Sequence, residues 1–247
     1  MKTNFLFFSL LIILISGCSK DDDSNEQTGI TANEKFFNEC KSSDGSNTIF
    51  SIKYNSNKKV EKIDFGQDGL YVFTYEGEKV ISLDAFLQNN ESFTFSYDVN
   101  EKINSFTKNG ETTSVIYDSE KKFYYYENAN GDEHSIYIND EGDVRKFLYY
   151  DISENDLETS TILYESGNYK GILTNTNNPM IAMHIALPER NLYYLVFGLT
   201  KIPLKTIVTD NVSEFENTFD DQGFLTSSTH DTGGDGLMTI NFNYIKL

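Results

Sequence analysis

Any chemistry in this chain would have to come from few side chains. The three histidines, His134, His184 and His230, stand apart, with no His-x-x-x-His or His-Glu pair to set two ligands on one face of an element. His184 lies within the apolar run IAMHIAL and reads as a core residue whose ring nitrogens find hydrogen-bond partners inside the protein. Asp231 and Asp235, beside Gly233, Gly234 and Gly236, form the one loop whose carboxylates and carbonyls suit a hard cation, so calcium is the only cofactor considered. That loop lacks the EF-hand order, and a plain hairpin loop is the competing reading. Cys40 has no histidine nearby and reads as a small buried hydrophobe. There is no Gly-x-Ser-x-Gly elbow, no dinucleotide fingerprint and no P-loop. Glycoside hydrolysis needs two carboxylates held in a cleft, and among 38 acidic residues no spacing singles out a pair. No catalytic residue is assigned; a hydrolase is the least supported reading.

What remains is aromatic. Tyr124-Tyr125-Tyr126 offers rings to both faces of a strand and is the candidate binding surface. The elements that would position it are plain between Glu91 and Asp151, where short aromatic and β-branched runs alternate with clusters of Asn, Asp, Gly, Glu and Lys. That pattern predicts consecutive β-hairpins. Phe93, Phe95 and Tyr97 show the alternation that buries one face and leaves the other wet. Tyr54, Tyr75, Tyr97, Tyr117 and Ile138 recur at intervals of about 21 residues, the length of two strands and two turns. A lone hairpin cannot bury its apolar face, so the unit has to recur.

The expected fold is therefore all-β: consecutive antiparallel hairpins from Thr48 onward, forming one large meandering sheet or a partly closed sandwich or barrel. Four further elements are expected. Thr31 and Glu34 have capping-box spacing, and with Phe36, Phe37 and Cys40 predict a short helix. Thr161–Tyr164 with Tyr169–Leu173 predicts a hairpin after an insertion. Met180–Leu187, bounded by Pro179 and Pro188, suits a short buried helix, though a core strand of that length would look the same, and Asn191–Leu199 is a second apolar run expected to pack on or cap the sheet. Glu101–Lys108, rich in charge, suits a blunted sheet edge.

The formal charge is -18, from 20 basic and 38 acidic residues. Nucleic acid and anionic membrane surfaces need a basic footprint, so neither is expected as a partner. At the start, one lysine precedes the apolar stretch Phe5–Ile15 and the small residues Ser16-Gly17-Cys18. This is the layout of an export signal, too short to span a bilayer. Ile15-Ser16-Gly17-Cys18 resembles the bacterial lipobox, which implies that residues 1–17 are removed and that Cys18 is acylated, leaving Cys40 without an intrachain partner. The acidic stretch that follows predicts a disordered tether over residues 18–30 and one domain over 31–247. Ser19-Lys20-Asp21-Asp22-Asp23 also resembles the tag of surface-exposed lipoproteins of the Bacteroidota.

The unit Phe215–Leu225, with its Asp-x-x-Gly turn, and weaker forms at Phe95–Phe106, Val115–Tyr125 and Tyr137–Phe147 resemble the tyrosine-aspartate repeats of exported bacterial proteins. Their order around Asn178-Pro179 and the Lys201–Ile207 strand is similar to Bacteroidota lipoproteins of unknown function. The resemblance implies an outer-membrane lipoprotein, cell-surface exposed or facing the periplasm, and transfers no active site. Function then divides between a binding module for glycan, peptide or an envelope partner and a structural or adhesion-type surface protein.

Overall fold

The computed structural model describes residues 34–43, 45–231 and 236–247; the expectations placed on Cys18, Thr31 and Asp235 fall outside them. The hairpin pattern folds as read. The strands are β1 (Phe36–Ser42), β2 (Thr48–Tyr54), β3 (Val60–Asp64), β4 (Leu70–Glu76), β5 (Lys79–Phe86) and β6 (Glu91–Tyr97). They continue as β7 (Ile103–Lys108), β8 (Glu111–Ser114), β9 (Ile116–Asp118), β10 (Phe123–Glu127), β11 (Glu133–Ile138), β12 (Val144–Asp151) and β13 (Asp156–Tyr164). Helices α1 (Met180–Ala186) and α2 (Asn191–Val196) intervene before β14 (Leu204–Val208), β15 (Val212–Phe219), β16 (Leu225–Asp231) and β17 (Leu237–Ile245).

The meander closes. β17 pairs with β1, and β1 pairs with β2, so the last strand is tied to the first hairpin. A closed ring of purely antiparallel neighbours needs an even number of strands. The seventeen strands meet this because β8 and β9 are two halves of one strand. Alternation runs unbroken through buried Val115, β8 pairs with β7, and β9 pairs with β10. The nearly closed barrel has no long free edge, and β7, the expected edge strand, is paired on both sides.

Each turn has a local cause. Asn55, Asp98, Asn128 and Asp220 accept hydrogen bonds from the N–H groups two and four residues on, at 2.8–3.1 Å. The residue three positions after each is left-handed: Gly131 and Gly223 in two units, but Lys58 (φ 59°) and Glu101 (φ 63°) in the others. The Asx side chain thus holds the turn even where glycine is missing. Tyrosines then tie one unit to the previous one: Tyr75 donates to the Val60 carbonyl and Tyr97 to that of Val80, both at 2.7 Å, and Tyr244 to that of Leu225 at 2.9 Å. This is the physical content of the 21-residue period.

The barrel is apolar within. A continuous core includes Phe50, Ile63, Tyr71, Leu83, Phe93 and Ile136, together with the helical segment. A ring this wide is too large for wall side chains to fill, so something has to occupy the lumen. The helices do. His184 and Ile185 of α1 touch Phe147 of β12 and Tyr126 of β10, while Tyr194 of α2 and the following Phe197 pack on Tyr71 of β4 and Phe50 of β2. All of α1 except Ile181 is buried, as expected of an enclosed helix. Outside, β6, β7, β16 and β17 present Ser92, Thr94, Ser96, Asn104, Thr107, Thr229 and Asn241, a water-facing surface. A membrane-spanning barrel needs an encircling apolar band there instead. No helix among the described residues is long and apolar enough to cross a membrane.

Two expectations are corrected here. Phe36, Phe37 and Cys40 lie in β1, not in a helix: a register shift between Phe37 and Glu39 puts Phe37 and Cys40 on the same buried side, so a β-bulge imitates helical spacing. Tyr169–Leu173 forms no hairpin strand, because β13 pairs with β14, leaving only a parallel bridge from Lys170 to Phe224. Asn191–Leu199 packs on the sheet as expected, from within the barrel.

Candidate functional site

At one mouth of the barrel the plug does not meet the wall, leaving a cavity of about 560 Å³ between β11–β13 and the segment Pro188–Tyr193. That volume lies within the range of small-ligand sites. The register assembles its wall. His134 pairs with Tyr149 and Tyr149 with Glu158, while Ile136 pairs with Phe147 and Phe147 with Ser160, so all six line the cavity from three adjacent strands.

The rim is held by the β10–β11 turn. Asn128 takes the Asp132 N–H at 3.0 Å and donates Nδ2–H to the Asp132 carboxylate at 2.9 Å, while Ile152 N–H reaches the other oxygen at 3.3 Å. Asp132 is thereby buried and fixed at the cavity edge. His134 is stacked on Tyr126 at 4.7 Å and lies 5.0 Å from Tyr149. Burial lowers its pKa, against the pull of the Asp132 carboxylate, and among the described residues its Nε2 has no hydrogen-bond partner. Tyr149 is shifted the other way, by desolvation and then by Asp132, Asp151 and Glu158 around it.

The opposite wall is rigid for its own reasons. Asn191 Oδ1 meets His184 Nδ1 at 2.9 Å, and burial brings His184 down to about 4, so it is a neutral core group. The expected buried histidine is there, with a side-chain amide as partner. Tyr193 donates to Asp68 at 3.4 Å, and Arg190 reaches the Asp68 carbonyl at 3.4 Å, fastening α2 to the turn before β4. Among the described residues Asp132, Glu158 and Glu189 line the cavity, and no lysine or arginine does. Such a lining accepts hydrogen bonds and offers ring faces, and it repels anions.

The candidates read from the sequence fall elsewhere. Tyr124 and Tyr126 are buried inside the barrel, at 5% and 2% exposure, and cannot form a surface; only Tyr125 points outward. The strand does present rings to both faces, but packing takes two of the three. Asp231 ends β16, and its proposed calcium partner Asp235 lies outside the described residues. Among the described residues no group of three or more His, Cys, Asp or Glu is placed to hold a metal ion. Cys40 is buried between β17 and β2, its thiol pushed up to about 12 by desolvation, which suits packing and not nucleophilic attack. His134, Tyr149 and Glu158 carried no sequence signal, since they converge only through the register of three strands.

No family model and no curated protein matches the chain. Among solved structures, a porin-like protein from Bacteroides uniformis ATCC 8492 is similar at 15% identity, over 79% of this chain and 89% of that one, with a TM-score of 0.42. A structure of TcdB2-TccC3-TEV is similar at 10% identity, over 78% of this chain and 12% of that one, with a TM-score of 0.29. Likeness at this level carries no functional argument.

Proposed function

We propose that the protein is an exported, lipid-anchored binding module whose barrel mouth takes a neutral, hydroxyl-rich ligand of the glycan type. The observation behind this is the 560 Å³ cavity lined by Tyr149, Tyr193 and His134 beside Asp132, Glu158 and Asn191. Ring faces pack on the apolar face of a sugar while carboxylates and amides take its hydroxyls. Among the described residues neither lysine nor arginine lines it, which argues against phosphorylated or acidic ligands. A closed ring adds no length from repeat to repeat, which counts against the structural or adhesion-type reading. The test is saturation-transfer NMR against neutral oligosaccharides, with acidic ones as controls. Tyr149→Ala and Glu158→Gln should each weaken binding at least tenfold while melting as the wild type does. Failure of every neutral glycan, or unchanged binding by both variants, rejects the site. Release of reducing ends in the same samples would instead make the protein a hydrolase.

Anchoring through Cys18 and an outer-membrane location, on the cell surface or facing the periplasm, belong to the same proposal. Palmitate labelling of the whole chain, lost in Cys18→Ser, tests the first. Surface proteolysis of intact cells tests the second.

A further inference from the structure

The mouth cavity is layered. Strand register stacks its wall in rungs, each a row of inward-facing residues across β11, β12 and β13. The outer rung is His134, Tyr149 and Glu158, polar throughout and open to solvent at Glu158. The inner rung is Ile136, Phe147 and Ser160, where Ile136 and Phe147 are only 1% and 7% exposed. On any one strand the two rungs are two residues apart, a depth of about 7 Å.

Past the inner rung the cavity ends. Ile138 and Ile162, the next inward residues after Ile136 and Ser160 on their strands, are buried in the same core as α1. Phe147 touches His184 at 5.2 Å, and the Tyr126 hydroxyl donates to the Ile185 carbonyl at 3.0 Å, so α1 lies against the wall there. A blind pocket of this depth takes the end of a chain and not its middle. Whatever enters first meets Ile136 and Phe147.

Such a floor sorts sugars by their leading group. A hydroxymethyl group pressed against it gives up water and finds, among the described residues of that rung, one hydroxyl, that of Ser160. A buried hydroxyl left without a partner is costly. A methyl group in the same place has no hydrogen bond to lose and gains from the burial of its surface. The ring hydroxyls of the same unit stay level with the outer rung. There His134, 8% exposed, holds its Nε2 without a partner among the described residues, next to Tyr149 and Glu158.

Within the glycan reading above, we propose that the ligand is a neutral sugar whose terminal unit carries a methyl group and enters methyl first, with Ile136 and Phe147 as the residues that select it. A 6-deoxy sugar and an N-acetylated sugar share that group.

The test applies saturation-transfer NMR and competition to the full chain with two matched pairs: L-fucose against L-galactose, which differ by one oxygen, and N-acetyl-D-glucosamine against D-glucose. In at least one pair the methyl-bearing sugar should bind about tenfold or more tightly than its parent, the scale of one such group in an apolar pocket. Its methyl protons should take the strongest saturation, and the pair that shows the preference tells deoxy from acetyl. Ile136→Thr puts a hydroxyl on the inner rung and should narrow the ratio. Ser160→Ala, at a half-buried position where folding is not at stake, removes one and should widen it. Equal binding within both pairs, saturation centred on ring protons, or a ratio that Ser160→Ala leaves unmoved overturns the methyl assignment while the glycan reading stands. No binding by any of the four sugars overturns both.

Discussion

Asp143 holds both ends of the plug. Its carboxylate, 2% exposed, takes Lys201 N–H on both oxygens and Ile202 N–H on one, all at 2.9 Å, and Asn178 Nδ2–H at 3.1 Å. Asn178 lies just before α1, and Lys201 and Ile202 follow α2. Desolvation nevertheless raises this carboxyl to about 6 from the usual 3.8, since burial outweighs the donors. The native state then disfavours the ionised form by roughly 3 kcal/mol relative to the unfolded chain. The Asp143→Asn substitution relieves that charge but sets an amide NH₂ against backbone donors, losing at least one charge-assisted bond of about 1.5–3 kcal/mol. At about pH 7.5 these effects nearly cancel, and the variant should lie within about 1 kcal/mol of the wild type.

The sign of the pH effect follows from the raised pKa. Between the unfolded and folded values the native state binds the extra proton, so this group's contribution to stability rises as pH falls from about 6 towards 4. By about pH 5 the wild type should have gained roughly 1.4 kcal/mol that the variant cannot gain. Urea unfolding of both proteins across that window gives the difference, and the other titrating groups cancel in it. A difference that is flat in pH, or that shrinks on acidification, would refute the claim that burial outweighs the hydrogen bonds at this site.

Other perturbations read other parts of the structure. Glu101→Gly relaxes a left-handed turn residue; against the entropy that glycine adds to the unfolded chain and a solvent-facing pair with Lys79, it should stabilise by up to about 1 kcal/mol in thermal melts. Tyr97→Phe removes the bond to Val80 and should cost about 1 kcal/mol, leaving the far-ultraviolet spectrum unchanged. Gly171→Ala would bring a Cβ to 2.4 Å from the Thr200 carbonyl, where the stretch of chain before the plug crosses the one after it; a loss above about 2 kcal/mol is expected, and an ordinary melt would show that this crossing is loose. His184→Gln removes a histidine held neutral, so the stability that the wild type loses as pH falls from about 6.5 to 4 should be largely absent in the variant.

The hairpins were legible because their causes are local. Period-two alternation sets the inward face, and an Asx residue followed three positions later by a left-handed one sets the turn, as at Asp98–Glu101 and Asp220–Gly223. The apolar run at Met180 between two prolines read as a buried segment, but its helical form was settled only by the structure, since a core strand of that length has the same composition. Closure was not legible, because pairing β1 with β17 joins residues some two hundred positions apart, and no local pattern encodes that partner. The same long-range pairing turned Phe36–Cys40 into a bulged strand where its spacing imitates a helix. It also buried Tyr124 and Tyr126, because a strand shows which residues share a face but not which face becomes the lumen. The mouth cavity belongs wholly to the tertiary structure. His134, Tyr149 and Glu158 look ordinary in sequence and meet only because three strands hold one register against a plug delivered from elsewhere in the chain.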